Sequence, residues 1–195
     1  MIGCYVTEYR TTSSSLGSPR ATCTLTTREH RLLSFLQEKL IDYRTDSGML
    51  DAVHLREWHD RIVFTNGCYD LLHPGHLQTL LFCDDLRKSG QGAVVVAINS
   101  DDSVRRIKGS DRPVVDEMSR ATLLAALFFV DFVVIFGEDT PADLIRAMCP
   151  DIIVKGGDYV GTSVIGSETG AEIVFAPYDE AWSTTKIIGK IRERR

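Results

Sequence analysis

The sequence predicts an α/β protein: a Rossmann-like α/β/α sandwich with a mostly parallel five-stranded sheet, preceded by an N-terminal helical extension. Three observations predict it. From Arg61 onward short apolar runs alternate with helical segments, the runs read as buried on both faces, and the first of them ends in a histidine-bearing turn that opens a helix. Residues 1–25 are rich in Ser and Thr, include Gly17, Ser18 and Pro19, and carry no sustained apolar period, so they read as a flexible segment. Thr26-Thr27-Arg28-Glu29 has the form of a capping box, and Leu32, Leu33, Phe35, Leu36, Leu40 and Ile41 then recur at helical spacing. One amphipathic helix is expected there and a second, shorter one from about Met49 to His59, together forming the extension over residues 26–60.

The main domain, residues 61–195, opens with a strand over Ile62-Val63-Phe64-Thr65. A helix over 75–88 and a buried strand from Ala93 to Asn99 follow. A helix from about Glu117 to Val130 leads into the strand Phe132 to Phe136, and Thr140-Pro141-Ala142-Asp143 combines an N-cap, Pro at the first helical position and an acidic first turn. Asp151 to Val154 and Glu172 to Phe175 supply two further strands. Ser183 caps a last helix with Ile187, Ile188 and Ile191 on its apolar face, and Lys190, Arg192, Arg194 and Arg195 suit its negative end.

A net charge of -5 argues against broad electrostatic binding to nucleic acid, while a local Lys and Arg cluster remains able to hold a small anion. The cysteines at 4, 23, 68, 83 and 149 are odd in number and widely spaced, which indicates neither a disulfide framework nor a zinc knuckle and suits a reducing cytosol. The apolar stretch Ala121 to Phe136 is interrupted by Thr122 and Asp131 and falls short of the roughly 20 residues of a membrane span. No basic segment followed by an apolar one marks a signal peptide, so the expectation is a soluble, cytoplasmic protein with no membrane or nucleic-acid partner; a homo-oligomer is compatible with the sequence.

The chemistry concentrates in Phe64-Thr65-Asn66-Gly67-Cys68-Tyr69-Asp70-Leu71-Leu72-His73-Pro74-Gly75-His76. Pro74 suits a first helical position, Gly75 lets another group approach, and both imidazoles can face one anion at a helix N-terminus, where backbone N–H groups attract phosphate. Read alone, His-x-x-His also fits two turn histidines, or metal ligation by Asp70, His73 and His76, although no further Cys or His lies near and Pro-Gly breaks the helical spacing. Cys68 has no nearby base and reads as packing. Trp182 precedes a Ser-Thr-Thr run and reads as structural, and His30, His54 and His59 as surface groups.

The turn is similar to the His-x-Gly-His signature of the cytidylyltransferase-like nucleotidyltransferases. The match continues through Asn99-Ser100-Asp101, Arg106-Ile107-Lys108-Gly109, Arg112-Pro113-Val114, Glu138-Asp139-Thr140-Pro141, Val154-Lys155-Gly156-Gly157-Asp158-Tyr159 and Ser183-Thr184-Thr185, covering about residues 60–195. Within the family, the Arg-Pro-Val, Glu-Asp-Thr-Pro and Val-Lys-Gly-Gly-Asp-Tyr combination resembles the adenylyltransferase branch that makes ADP-heptose, a lipopolysaccharide precursor. With this context, phosphate binding ranks above metal ligation, and no protein metal ligand is assigned.

The resemblance implies attack of a sugar 1-phosphate, D-glycero-β-D-manno-heptose 1-phosphate, on the α-phosphorus of ATP with Mg²⁺ accompanying the nucleotide, releasing pyrophosphate. It implies catalytic roles for His73, His76 and Lys108. Thr65, Asn66, Gly67, Tyr69, Gly75, His76, Lys155, Gly156, Asp158, Ser183, Thr184 and Thr185 would contact nucleotide, and Asp70, Asn99, Asp101, Arg112 and Arg120 the acceptor. Lys108 is read in a loop, and Arg105 and Arg106 as a solvated basic face. The segment from Tyr159 to Glu172 is shorter than the family pattern, which bears on acceptor identity. The first sixty residues are too short for the sugar kinase to which the heptose enzyme is often fused, so a stand-alone adenylyltransferase is expected. Rival readings are a glycerol-3-phosphate cytidylyltransferase or another small-phosphate nucleotidyltransferase, and a non-catalytic nucleotide-binding module. Lys-Gly-Gly-Asp-Tyr favours the heptose branch over the first, and the intact His73, His76, Lys108 and Ser183 favour catalysis over the second.

Overall fold

The computed structural model describes residues 27–88, 92–156, 164–177 and 181–194. Helix α1 (Thr27–Glu38) leads into a short strand, β1 (Leu40–Asp42), and helix α2 (Asp46–Trp58), whose first turn is capped by Thr45 Oγ1 accepting from the Gly48 amide at 3.0 Å. Strand β2 (Arg61–Gly67), helix α3 (Pro74–Arg87) and strand β3 (Gly92–Asn99) follow. Then come α4 (Asp101–Lys108), α5 (Glu117–Ala125), β4 (Phe132–Phe136), α6 (Ala142–Met148), β5 (Ile152–Gly156), a 3₁₀ turn at Ser167–Thr169, β6 (Glu172–Ala176) and α7 (Thr184–Arg192). The capping box expected over Thr26–Glu29 begins on Thr26, which lies outside the described residues, as does the segment 1–25 read as flexible.

Six strands form one parallel sheet in the order β1-β4-β3-β2-β5-β6. The expected five-stranded sheet is thus one strand short. Leu40 and Ile41, expected at the end of a helix, instead pair with Val133 and Val134 on β4. An open β4 edge offers backbone partners to this stretch, and those outweigh the helical period of a three-residue tail. Lys39 reinforces the junction by donating from Nζ to the Val130 carbonyl at 2.6 Å.

Two further differences are local. Residues 105–108, expected in a loop, lie in α4, where Ser100 supplies the cap by accepting from the Ser103 amide at 3.3 Å and Asp101 follows in the first turn. At α6 the N-cap is Pro141 without a side-chain bond, and the expected Thr140 cap is not formed.

Both faces of the sheet are covered, as parallel strands require. Val63, Val94, Val96, Ile98, Val133 and Val154 pack against Leu80, Ala121 and Leu124 of α3 and α5. Their neighbours Ile62, Phe64, Val95, Ala97, Val134 and Ile153 pack against Ala52, Leu55, Leu144, Ile145 and Met148 of α2 and α6. Full burial of an aliphatic side chain contributes about 1.5–3 kcal/mol, so this double layer outweighs any end-cap in fixing the architecture. At the N-terminal edge Asp151 Oδ2 accepts from the Ile62 amide at 2.7 Å, and Asp131 Oδ2 accepts from Val94 at 2.8 Å. The opposite, C-terminal edge stays open where the winding reverses, with β2 between β3 and β5, and open parallel sheets hold ligands at such a reversal.

Candidate active site

A cavity of about 450 Å³ occupies that edge. Its floor is the end of β2 and the turn after it, from Thr65, Asn66 and Gly67 to Cys68, Tyr69 and Asp70. The start of α3 supplies His73, Gly75, His76 and Thr79; the start of α7, with the residue ahead of it, supplies Trp182, Ser183, Thr184 and Thr185. Gly156 and Pro177 close that side, and Asn99, Ile107, Lys108, Arg112 and Asp139 line the β3–β4 side.

His73 caps α3, with Pro74 in the first turn. The His76 amide donates to the His73 carbonyl at 2.9 Å and shares its hydrogen with His73 Nδ1 at 3.4 Å. Acceptance at Nδ1 places the proton of a neutral His73 on Nε2, a donor. The two imidazoles stack, with centroids 3.7 Å apart and planes 17° from parallel, and Tyr69 packs on His76 at 4.8 Å. Gly75 leaves room for this approach: a Cβ there would sit a tight 3.2 Å from His73 Nδ1 and 3.5 Å from Trp182 Cβ. Burial, with the neighbouring His73 adding to it, pushes His76 down to about 3, against a weak pull from the Leu71 carbonyl. Burial also lowers His73. Both rings are therefore neutral donors near pH 7.

Ser183 caps α7, accepting from the Lys186 amide at 3.1 Å, so the hydroxyl proton stays available while the free amides of the first turn face the cavity. Two helix starts from distant parts of the chain thus converge on one space, an arrangement suited to a polyphosphate.

Around this pair, buried polar groups hold the walls. Asp70 lines the cavity but its carboxylate is committed: Oδ2 accepts from Arg112 Nε, and Oδ1 accepts from the Val114 and Val115 amides at 2.7 and 3.0 Å. It fixes the Arg-Pro-Val loop and presents Arg112 to the cavity. Lys155, 8% exposed, donates from Nζ to Asn66 Oδ1, which turns the Asn66 amide donors away from the lysine. Burial pulls Lys155 down to about 8. Asn99 donates to Ser103 Oγ at 2.9 Å.

Most residues expected in the site are brought together here: Thr65, Asn66, Gly67, Tyr69, Asp70, His73, Gly75, His76, Asn99, Lys108, Arg112, Gly156, Ser183, Thr184 and Thr185 all line the cavity. Three do not. Arg120, expected at the acceptor, is 1% exposed and spends its guanidinium on the Val115 carbonyl at 3.0 Å, Cys68 carbonyl at 2.5 Å, Asn99 carbonyl at 2.9 Å and Asp101 Oδ1 at 2.8 Å. Asp101, likewise expected there, is the ion-pair partner of that guanidinium. Lys155, expected at the nucleotide, is not among the lining residues and donates to Asn66 Oδ1. Asp158 lies outside the described residues.

Six lining residues had no site role in the sequence reading: Cys68, read as packing, Trp182, read as structural, and Thr79, Ile107, Asp139 and Pro177. Asp139 and Pro177 each follow the C-terminal end of a parallel strand, the position that lies beside a switch-point ligand, and that rule was the available signal. Burial pushes the Cys68 thiol up, with Lys108, Arg120 and Arg112 opposing, which keeps it protonated and unsuited to nucleophilic attack. Among the described residues no group of three or more His, Cys, Asp or Glu is placed to hold a metal ion.

A profile for the family described as cytidylyltransferase-like matches residues 64–193. The chain belongs to the cytidylyltransferase-like family. It is 51% identical over 165 residues to the Bifunctional protein HldE of Helicobacter pylori, covering 83% of this chain and 35% of that protein. It is 46% identical over 143 residues to the Bifunctional protein HldE of Campylobacter jejuni, covering 73% of this chain and 30% of that one. The chain thus spans about a third of the length of the curated relatives it matches. A macrolide-efflux protein from Streptococcus pneumoniae has the same fold at 17% identity and a TM-score of 0.52, over 78% of this chain and 57% of that one. This cytidylyltransferase-like chain has no helix, among the described residues, long and apolar enough to cross a membrane.

Proposed function

We propose that the protein transfers AMP from ATP to D-glycero-β-D-manno-heptose 1-phosphate, forming ADP-heptose and pyrophosphate. The observation that carries the reading is the stacked His73 and His76 pair at the start of α3, facing the Ser183–Thr185 start of α7 across one cavity, in a chain of the cytidylyltransferase-like family. The acceptor rests on the Arg112-Pro113-Val114 and Lys155-to-Tyr159 motifs and their resemblance to the ADP-heptose branch, together with the HldE relatives.

In this reading a phosphate oxygen of the sugar 1-phosphate attacks the α-phosphorus, a new P–O bond forms, and the bond to the β-phosphate oxygen breaks. The acceptor phosphate arrives ionised, so no general base is needed, and catalysis is positioning and charge stabilisation. The neutral His73 and His76 donate hydrogen bonds to oxygens that gain charge, Thr184 and Thr185 present helix N-terminal amides to the triphosphate, and Lys108 and Arg112 bring the acceptor phosphate up against its own repulsion. Asn66, with its carbonyl oxygen held by Lys155, offers only donors. Among the described residues no three His, Cys, Asp or Glu are placed to hold a metal ion, and Asp70 is consumed by Arg112 and the loop amides. Mg²⁺ belongs to the substrate, carried on the ATP phosphates and water.

Pyrophosphate release from each nucleoside triphosphate, with heptose 1-phosphate or glycerol 3-phosphate as acceptor, tests the proposal. ATP with heptose 1-phosphate is the expected pair. CTP preference, turnover only with glycerol 3-phosphate, or nucleotide binding without pyrophosphate release from any pair overturns it.

A further inference from the structure

Among the described residues two carboxylates line the cavity, Asp70 and Asp139. Asp70 is fully engaged. Asp139 is not: Oδ1 accepts from Arg106 Nε at 2.7 Å, and Oδ2 has no hydrogen bond among the described residues. The turn that carries it is tied to α4, although the Arg106–Asp139 pair itself is half-exposed. Arg106 Nη2 donates to the Gly137 carbonyl at 2.7 Å, and Ser103 Oγ donates to the Glu138 carbonyl at 2.7 Å while accepting from Asn99. Four polar contacts from β3 and α4 therefore set the position of one half-used carboxylate, the kind of support a recognition group needs.

Location decides what this carboxylate can recognise. Asp139 follows β4 and lines the cavity with Ile107 and Lys108 of α4, whereas the helix starts that suit polyphosphate are those of α3 and α7, which meet where Trp182 lies against Gly75. A carboxylate beside a triphosphate would repel it, so Asp139 fits a neutral, hydroxyl-bearing part of the second substrate. Lys108 next to it fits that substrate's phosphate.

We propose that Asp139, positioned by Arg106, accepts hydrogen bonds from the hydroxyls of the acceptor sugar phosphate and so selects a polyhydroxylated acceptor. This inference rests on the nucleotidyltransferase reading above.

The test is steady-state kinetics of Asp139→Asn and Asp139→Ala with ATP and heptose 1-phosphate, with thermal melting as a check on folding. Loss of one or two charged hydrogen bonds is expected to raise KM for the sugar phosphate by about 10- to 100-fold. KM for ATP and the Mg²⁺ requirement are expected to stay within about 3-fold, since neither contact is removed. Arg106→Gln is expected to move only the acceptor KM, in the same direction and less far. An unchanged acceptor KM in a folded Asp139→Asn protein, with wild-type turnover intact, overturns this inference alone. A raised ATP KM or Mg²⁺ requirement overturns it by assigning Asp139 to the metal–nucleotide side. Wild-type protein that releases no pyrophosphate with heptose 1-phosphate overturns the functional reading, and the inference with it.

Discussion

With its basicity pushed down to about 3, His76 reaches the reaction as a neutral imidazole, and the charge it meets there is the substrate's own. Its contribution is a preorganised hydrogen bond, so His76→Ala is expected to lower kcat by at least about 10²-fold in a pyrophosphate-release assay. The same depressed basicity makes a second, independent prediction. Between about pH 6.5 and pH 3 the unfolded chain binds a proton at His76 that the folded chain refuses, so stability falls as pH falls through that window and is unaffected by this group above it. Denaturant titrations of wild type and His76→Gln at pH 7 and pH 5 check it: the variant is expected to lose less on acidification. The histidine turn was legible because an apolar run, a Pro at a first helical position and a Gly beside two imidazoles are local signals. The neutral state was not legible, because it arises from Tyr69 and His73 closing over the ring.

Elements hold the site through groups that never reach it. Arg120 on α5 ties together the ends of β2 and β3, the Arg-Pro-Val loop and the first turn of α4 through four oxygens. Arg120→Met leaves those oxygens buried and is expected to destabilise the protein by about 3–5 kcal/mol, measured by urea denaturation. The family resemblance placed it near the acceptor, although it lies in none of the matching motifs. Its structural role depends on carbonyls at 68, 99 and 115 that no local pattern connects. Helix α4 is the opposite case: a Ser cap, two acidic residues in the first turn and three basic residues in the last were all present in the sequence, and a loop reading of Lys108 overlooked them. Strand β1 was hidden for a third reason, since three residues carry too little periodicity to separate strand from helix.

At the scale of the whole molecule, the described chain falls into a sheet that needs residues well before Arg61. Ile41 and Tyr43 are buried in the core, and β1 covers the edge of β4. Removing residues 1–25 is expected to leave activity and melting temperature near wild type, because that segment has no core-forming pattern. Removing residues 1–44 uncovers the β4 edge and empties part of the core, so it is expected to give aggregated or unfolded protein by size exclusion and circular dichroism. The fold was legible as a class because each buried strand announces itself locally; its outer boundary was not, because an edge strand is defined by its neighbour.

Helix α7 has no fully buried residue, yet its first turn forms one wall of the cavity. Such a helix opens more readily than the strands behind it, and a triphosphate bridging α3 and α7 shifts that balance towards the closed state. Amide hydrogen exchange across Thr184–Arg192 is therefore expected to slow when ATP binds, with little change in β2 or β3. Part of the free energy of nucleotide binding is then spent on docking the end of the chain, so a substitution that tightens α7 against the sheet would raise nucleotide affinity without touching the nucleotide.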